Sequence, residues 1–159
     1  DEDWINQRLL TIRVRKELTD EWQKRGVQEG KEFAILTDEI TKAWAGMSTR
    51  QYKAVKGLKK ENLRDNMSTT ELVLNMLAET STKDISAAVH PAGFEESRRV
   101  ARRGGEVAGI ARKALEEQTG ALVVTSMKAA DFHNLLTSII EAAPALIEEE
   151  DGEDTDNNE

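Results

Sequence analysis

Cysteine is absent from the 159 residues, and histidine and proline occur only twice each. Without cysteine there is no disulfide framework, no Cys-ligated zinc site, no iron–sulfur cluster and no thiol nucleophile. His90 and His133 stand 43 residues apart and outside any His-Glu-x-x-His pattern, so they form no local metal pair. Aromatic residues make up only 4% of the chain, and no run approaches the roughly 20 apolar residues of a membrane span. Phosphate-binding loops are missing as well. Gly104 to Gly109 has the spacing of a P-loop start, but Ile110-Ala111 follows in place of Lys and a hydroxyl residue. The first residue is Asp1 and not a methionine, and we expect a fragment or processed product of a longer chain.

What is present is charge. The chain holds 22 Lys+Arg against 30 Asp+Glu, a formal net charge of −8. Nine of the acids lie in residues 141–159, which contain no base, so residues 1–140 are nearly neutral. With no large apolar residue after Ile147, residues 148–159 cannot bury enough surface to offset their ordering entropy, and they read as a disordered acidic tail. The domain proper is expected at 1–147. Its bases cluster in two stretches, Lys42 to Arg64 with seven and Arg98 to Lys113 with six, each interrupted by a single acid. Lys53, Lys56, Lys59, Lys60 and Arg64 in the first, and Arg98, Arg99, Arg102, Arg103, Arg112 and Lys113 in the second, are candidates for contact with phosphate or an acidic partner. Trp44 and Tyr52 lie in the first stretch as candidate base-stacking groups.

The apolar pattern predicts an all-α fold, an irregular bundle of about six helices. Trp4, Ile5, Leu9, Ile12, Leu18 and Trp22 recur at near-helical spacing up to a stop at Gly26. A second helix is expected over residues 31–45, with Phe33, Ile35 or Leu36, Ile40 and Trp44 as core candidates. Ser48-x-x-Gln51 and Ser68-x-x-Glu71 are capping boxes that open two more helices, the second with Leu72, Val73, Met76 and Leu77 as its apolar face. Residues 80–93, rich in Ser, Thr, Ala and Gly, read as the longest internal connection. A helical region from 94 to 119 is expected to be interrupted or kinked at Gly104-Gly105 and stopped by Gly120. Residues 121–125 read as a short extended segment, and a last helix is expected near 129–143 with Phe132, Leu135, Leu136, Ile139 and Ile140.

Several blocks together resemble one family. KELTDEWQKRGV at 16–27, EFAILTDEITKAW at 32–44, KGLKKENLRDNMSTTELVLNMLAE at 56–79 and GGEVAGIARKALEEQTG at 104–120 are similar to the C-terminal part of damage-inducible protein D, a bacterial and prophage family related to phage antirepressors. The resemblance spans roughly residues 4–125, and we expect the Bro-type N-terminal domain of full-length members to lie outside residues 1–159. It implies a cytoplasmic, SOS-induced protein without enzymatic activity or cofactor. Such a protein modulates the RecA filament on single-stranded DNA by binding protein, DNA or both. The alternative is an oligomerisation or regulatory module of a phage antirepressor that binds a repressor protein. Either reading allows a homo-oligomer, and neither involves a membrane.

Overall fold

A computed structural model describes residues 2–126. They form five α-helices and one 3₁₀ turn: α1 Glu2–Lys24, α2 Lys31–Ala45, α3 Thr49–Val55, the 3₁₀ turn Arg64–Asn66, α4 Thr69–Val89 and α5 Gly93–Thr119. The fold is all-α. Residues 121–125 form no strand, and the expected helix near 129–143 and the tail at 148–159 lie outside the described residues.

Local chemistry explains most boundaries. Gly46 and Gly120 end α2 and α5 in the left-handed conformation, where a side chain would be strained. Both capping boxes form. The Ser48 hydroxyl accepts from the Gln51 amide while the Gln51 side chain accepts from the Ser48 amide, and Ser68 and Glu71 repeat the arrangement at α4.

α5 lies against both α2 and α4. It runs parallel to α2, with Glu39 meeting Arg98 and Arg102 while Trp44 meets Arg112 further along. With α4 it makes a hairpin through the three-residue connection 90–92. Small residues permit this close approach. A Cβ added at Gly104 would lie 2.0 Å from the Thr82 Oγ1 atom, and one at Gly105 would lie 2.6 Å from the Ala43 Cβ. Gly109 likewise sits on the Ala43 carbonyl, 2.5 Å from where its Cβ would be. The expected break at Gly104-Gly105 does not occur, and α5 is continuous. At these glycines α2 and α4 approach α5 too closely to leave room for a side chain. Alanine is the better helix former by about 1 kcal/mol, so contact outweighs propensity here.

α1 runs parallel to α4, because Arg15 meets Glu79, Glu17 meets Lys83 and Glu21 meets Ser86 in rising order. Leu18 and Trp22 enter the core, where Trp22 meets Phe33 at 5.4 Å between ring centroids. Ile5, Leu9 and Ile12 do not; they are 51%, 59% and 54% exposed. The single stripe expected for this helix is therefore two faces, one buried and one not.

α4 departs furthest from expectation. It continues through residues 80–89, so the expected long connection is helix. Its buried face includes Leu72, Leu74 and Ala78 but also Glu71, Asn75, Glu79, Thr82 and Ser86, while Val73 and Leu77 are exposed. A helix whose buried face is half polar carries no clean apolar period.

Replacing Gly104 by alanine is expected to lower stability by about 2 kcal/mol or more in urea titrations, since α4 and α5 must separate. An unchanged or raised midpoint contradicts the close-packing account.

Candidate anion-binding groove

The basic candidates separate according to their partners. Lys56 is buried beside Glu71, with 2.6 Å between its ammonium nitrogen and the Glu71 Oε1. The Tyr52 hydroxyl donates to the other oxygen of the same carboxylate. Desolvation, with the negative charge of Glu71 in addition, raises the Tyr52 pKa far above its ordinary value, so the phenol stays a donor. Arg64 pairs with the buried Glu79 at 2.8 Å, where Asn75 also donates and Arg15 approaches to 3.8 Å. Arg98 and Arg102 both reach Glu39, at 2.9 and 2.8 Å. Arg112 donates to the Trp44 carbonyl at 2.6 Å and pairs with Glu116.

Five of the eleven basic candidates are thus structural ties. Lys56 and Arg64 join the segment after α3 to α4, Arg98 and Arg102 lock α5 to α2, and Arg112 closes the end of α2. Trp44 and Tyr52 are buried with their rings 5.9 Å apart, edge to face. They belong to the core and offer no stacking surface. The reason is local: Trp44 continues the apolar stripe of α2, and Tyr52 has Glu71 for its hydroxyl.

Lys53, Lys59, Lys60, Arg99, Arg103 and Lys113 hold no ion pair among the described residues, and neither does Arg50. The structure brings some of these together. An open groove of about 860 Å³ is lined by Arg15, Ala34, Thr37, Asp38, Ser48, Thr49, Arg50, Lys53, Ala54, Leu58 and Lys59. Its floor is the face of α2 carrying Ala34, Thr37 and Asp38, and the opposite face carries Glu39, Ile40 and Ala43 against α5. Arg99, Arg103 and Lys113 lie on α5 and take no part in the groove. The two basic stretches therefore serve different surfaces. Sequence spacing missed Arg15, which enters from α1 and donates to the Thr37 hydroxyl at 2.6 Å.

The groove has one carboxylate, Asp38. Burial pushes its pKa up, but the Thr49 amide and Lys42 outweigh burial and hold it below the ordinary value. Asp38 is thereby committed to anchoring the start of α3. The surplus of positive charge rests on Arg50, Lys53 and Lys59. Among the described residues no group of three or more His, Cys, Asp or Glu side chains is placed to hold a metal, and no helix is long and apolar enough to cross a membrane.

No family model, curated protein or solved structure matches the chain.

Two stability outcomes follow. Changing Lys56 to methionine leaves the Glu71 carboxylate buried without its cation, and is expected to cost about 3–5 kcal/mol by urea denaturation. Adding Glu71→Gln should recover part of that loss, and a harmless single change contradicts the assignment. The second outcome concerns Glu39. Hydrogen bonds from Arg102 outweigh burial, and Arg98 adds to them, so its pKa lies below the ordinary carboxylate value. Its contribution is full above the unfolded value of about 4.3 and disappears as pH falls through the lower folded value. The stability gap between the native chain and Glu39→Gln should therefore narrow between pH 5 and pH 3 in parallel urea titrations. A gap that stays constant would show that Glu39 is not held ionised by these arginines.

Proposed function

We propose that the chain is a binding module of a DNA-damage response. It carries out no catalysis. It holds an extended polyanion, the phosphate backbone of single-stranded DNA as carried by a RecA filament, along the groove between α2 and α3. The observation that carries this reading is the placement of Arg50, Lys53 and Lys59 in one groove with no ion pair among the described residues. Lysine and arginine that neutralise no protein carboxylate are available to displace counterions from phosphate. The resemblance of the 56–79 block to damage-inducible protein D supports the same direction, because the block contributes Leu58 and Lys59 to the groove lining.

Phosphate contact without stacking has a definite chemical consequence. With Trp44 and Tyr52 buried, the groove has no aromatic platform for bases, so binding should track charge and show little sequence preference. The modulation of a filament would then come from competition for backbone phosphates, or from docking against an acidic protein face of similar charge density. A repressor-binding or oligomerising module is the second reading, and the exposed apolar face of α1 favours it.

The test is fluorescence anisotropy with a labelled oligo-dT of about 30 nucleotides across a salt series. Affinity should fall steeply with salt, with a log–log slope of about −0.7 for each phosphate neutralised. Lys53→Glu with Lys59→Glu should abolish binding while leaving the urea midpoint unchanged. Arg99→Glu with Arg103→Glu should weaken it less. Absence of binding at low salt, or binding indifferent to the first pair, contradicts the groove assignment. In a strand-exchange assay with RecA, the same pair should remove whatever effect the native chain exerts.

A further inference from the structure

We propose that two copies of this chain associate through the outward face of α1, running antiparallel. The face is carried by Glu2, Ile5, Leu9, Ile12 and Lys16, spaced three, four, three and four residues apart. That spacing aligns the five side chains in one stripe along a helix. Its three apolar members are each more than half exposed, whereas Leu18 and Trp22, on the other face, are buried in the core. Nothing among the described residues covers the stripe.

The order of chemistry along the stripe selects the occupant. It reads acid, apolar, apolar, apolar, base. Two such stripes running parallel would set Glu2 against Glu2 and Lys16 against Lys16. Running antiparallel about Leu9, they set Glu2 against Lys16 of the second copy, Ile5 near Ile12, and Leu9 against Leu9. The surface is complementary to itself under a twofold axis, which is the requirement of an isologous dimer. Lys16 already contacts Asp20 at 2.9 Å, but that pair is exposed and lies one turn further along, so it holds the ammonium only weakly. The Arg13–Glu17 pair flanks the stripe at 3.7 Å and leaves its apolar centre open. This inference is independent of the groove between α2 and α3, which faces α1 only through Arg15.

The absence of native cysteine makes the test direct. In sedimentation equilibrium the full chain should shift from monomer towards dimer with rising concentration. Leu9→Glu should weaken association at least tenfold, with an unchanged urea midpoint at concentrations where both proteins are monomeric, since Leu9 is exposed in the monomer. Glu2→Lys and Lys16→Glu should each weaken it several-fold, and combining them should restore it, a recovery that a merely apolar contact would not show. Under mild oxidation Leu9→Cys should form an interchain disulfide, while Glu29→Cys in the α1–α2 loop should not. A strict monomer overturns the proposal, and so does a dimer that survives Leu9→Glu. If the apolar segment 129–143 covers the stripe within one chain, the protein stays monomeric and Leu9→Glu lowers its stability, which also overturns it.

Discussion

A carboxylate removed from water must be met by cations or strong donors, and among the described residues three are buried: Glu39, Glu71 and Glu79. Glu71 takes Lys56 and Tyr52 while its backbone and side chain also cap α4. Glu79 takes Arg64 and Asn75, and Glu39 takes Arg98 and Arg102. Each set ties two segments together. Each also commits bases to a protein carboxylate, even where the side chain stays at the surface as Arg102 does, so the same constraint that holds the helices in place decides which positive charges are left to neutralise a partner.

The groove follows from the remaining geometry. α5 approaches α2 closely through Gly105 and Gly109, which occupies the face of α2 bearing Ile40 and Ala43. The face bearing Ala34, Thr37 and Asp38 is left open. Asp38 receives the Thr49 amide at 2.8 Å, turning α3 back over that face and bringing Arg50 and Lys53 with it. Leu58, buried at the end of this turn, holds Lys59 at the edge. A packed seam on one side of α2 and a charged turn on the other make a single positive concavity out of residues from three helices.

Much of this was legible in the residues. The two capping boxes, the stripe of α2 and the glycine stops depend on chemistry within one turn of helix, which spacing reports. α4 was not legible beyond Glu79, because its buried face is polar and its partners, Arg15, Arg64 and Glu21, are remote in sequence. Gly104 and Gly105 look like breakers by propensity. They act as spacers, since what they contact lies on other helices. Trp44 and Tyr52 misled for a related reason: their neighbours in sequence are basic, whereas their neighbours in space are each other and Glu71. A run of bases reports composition, and only tertiary pairing separates the ties from the charges left over.

That separation is the central claim, and side-chain NMR measures it most directly. Lysine ammonium and arginine Nε–H resonances of the full chain can be followed as oligo-dT is added at low salt. Signals of Arg50, Lys53 and Lys59 should move together with saturation, while those of Lys56, Arg64, Arg98 and Arg112 stay where they are. Movement of the second set with the first unmoved would contradict the account.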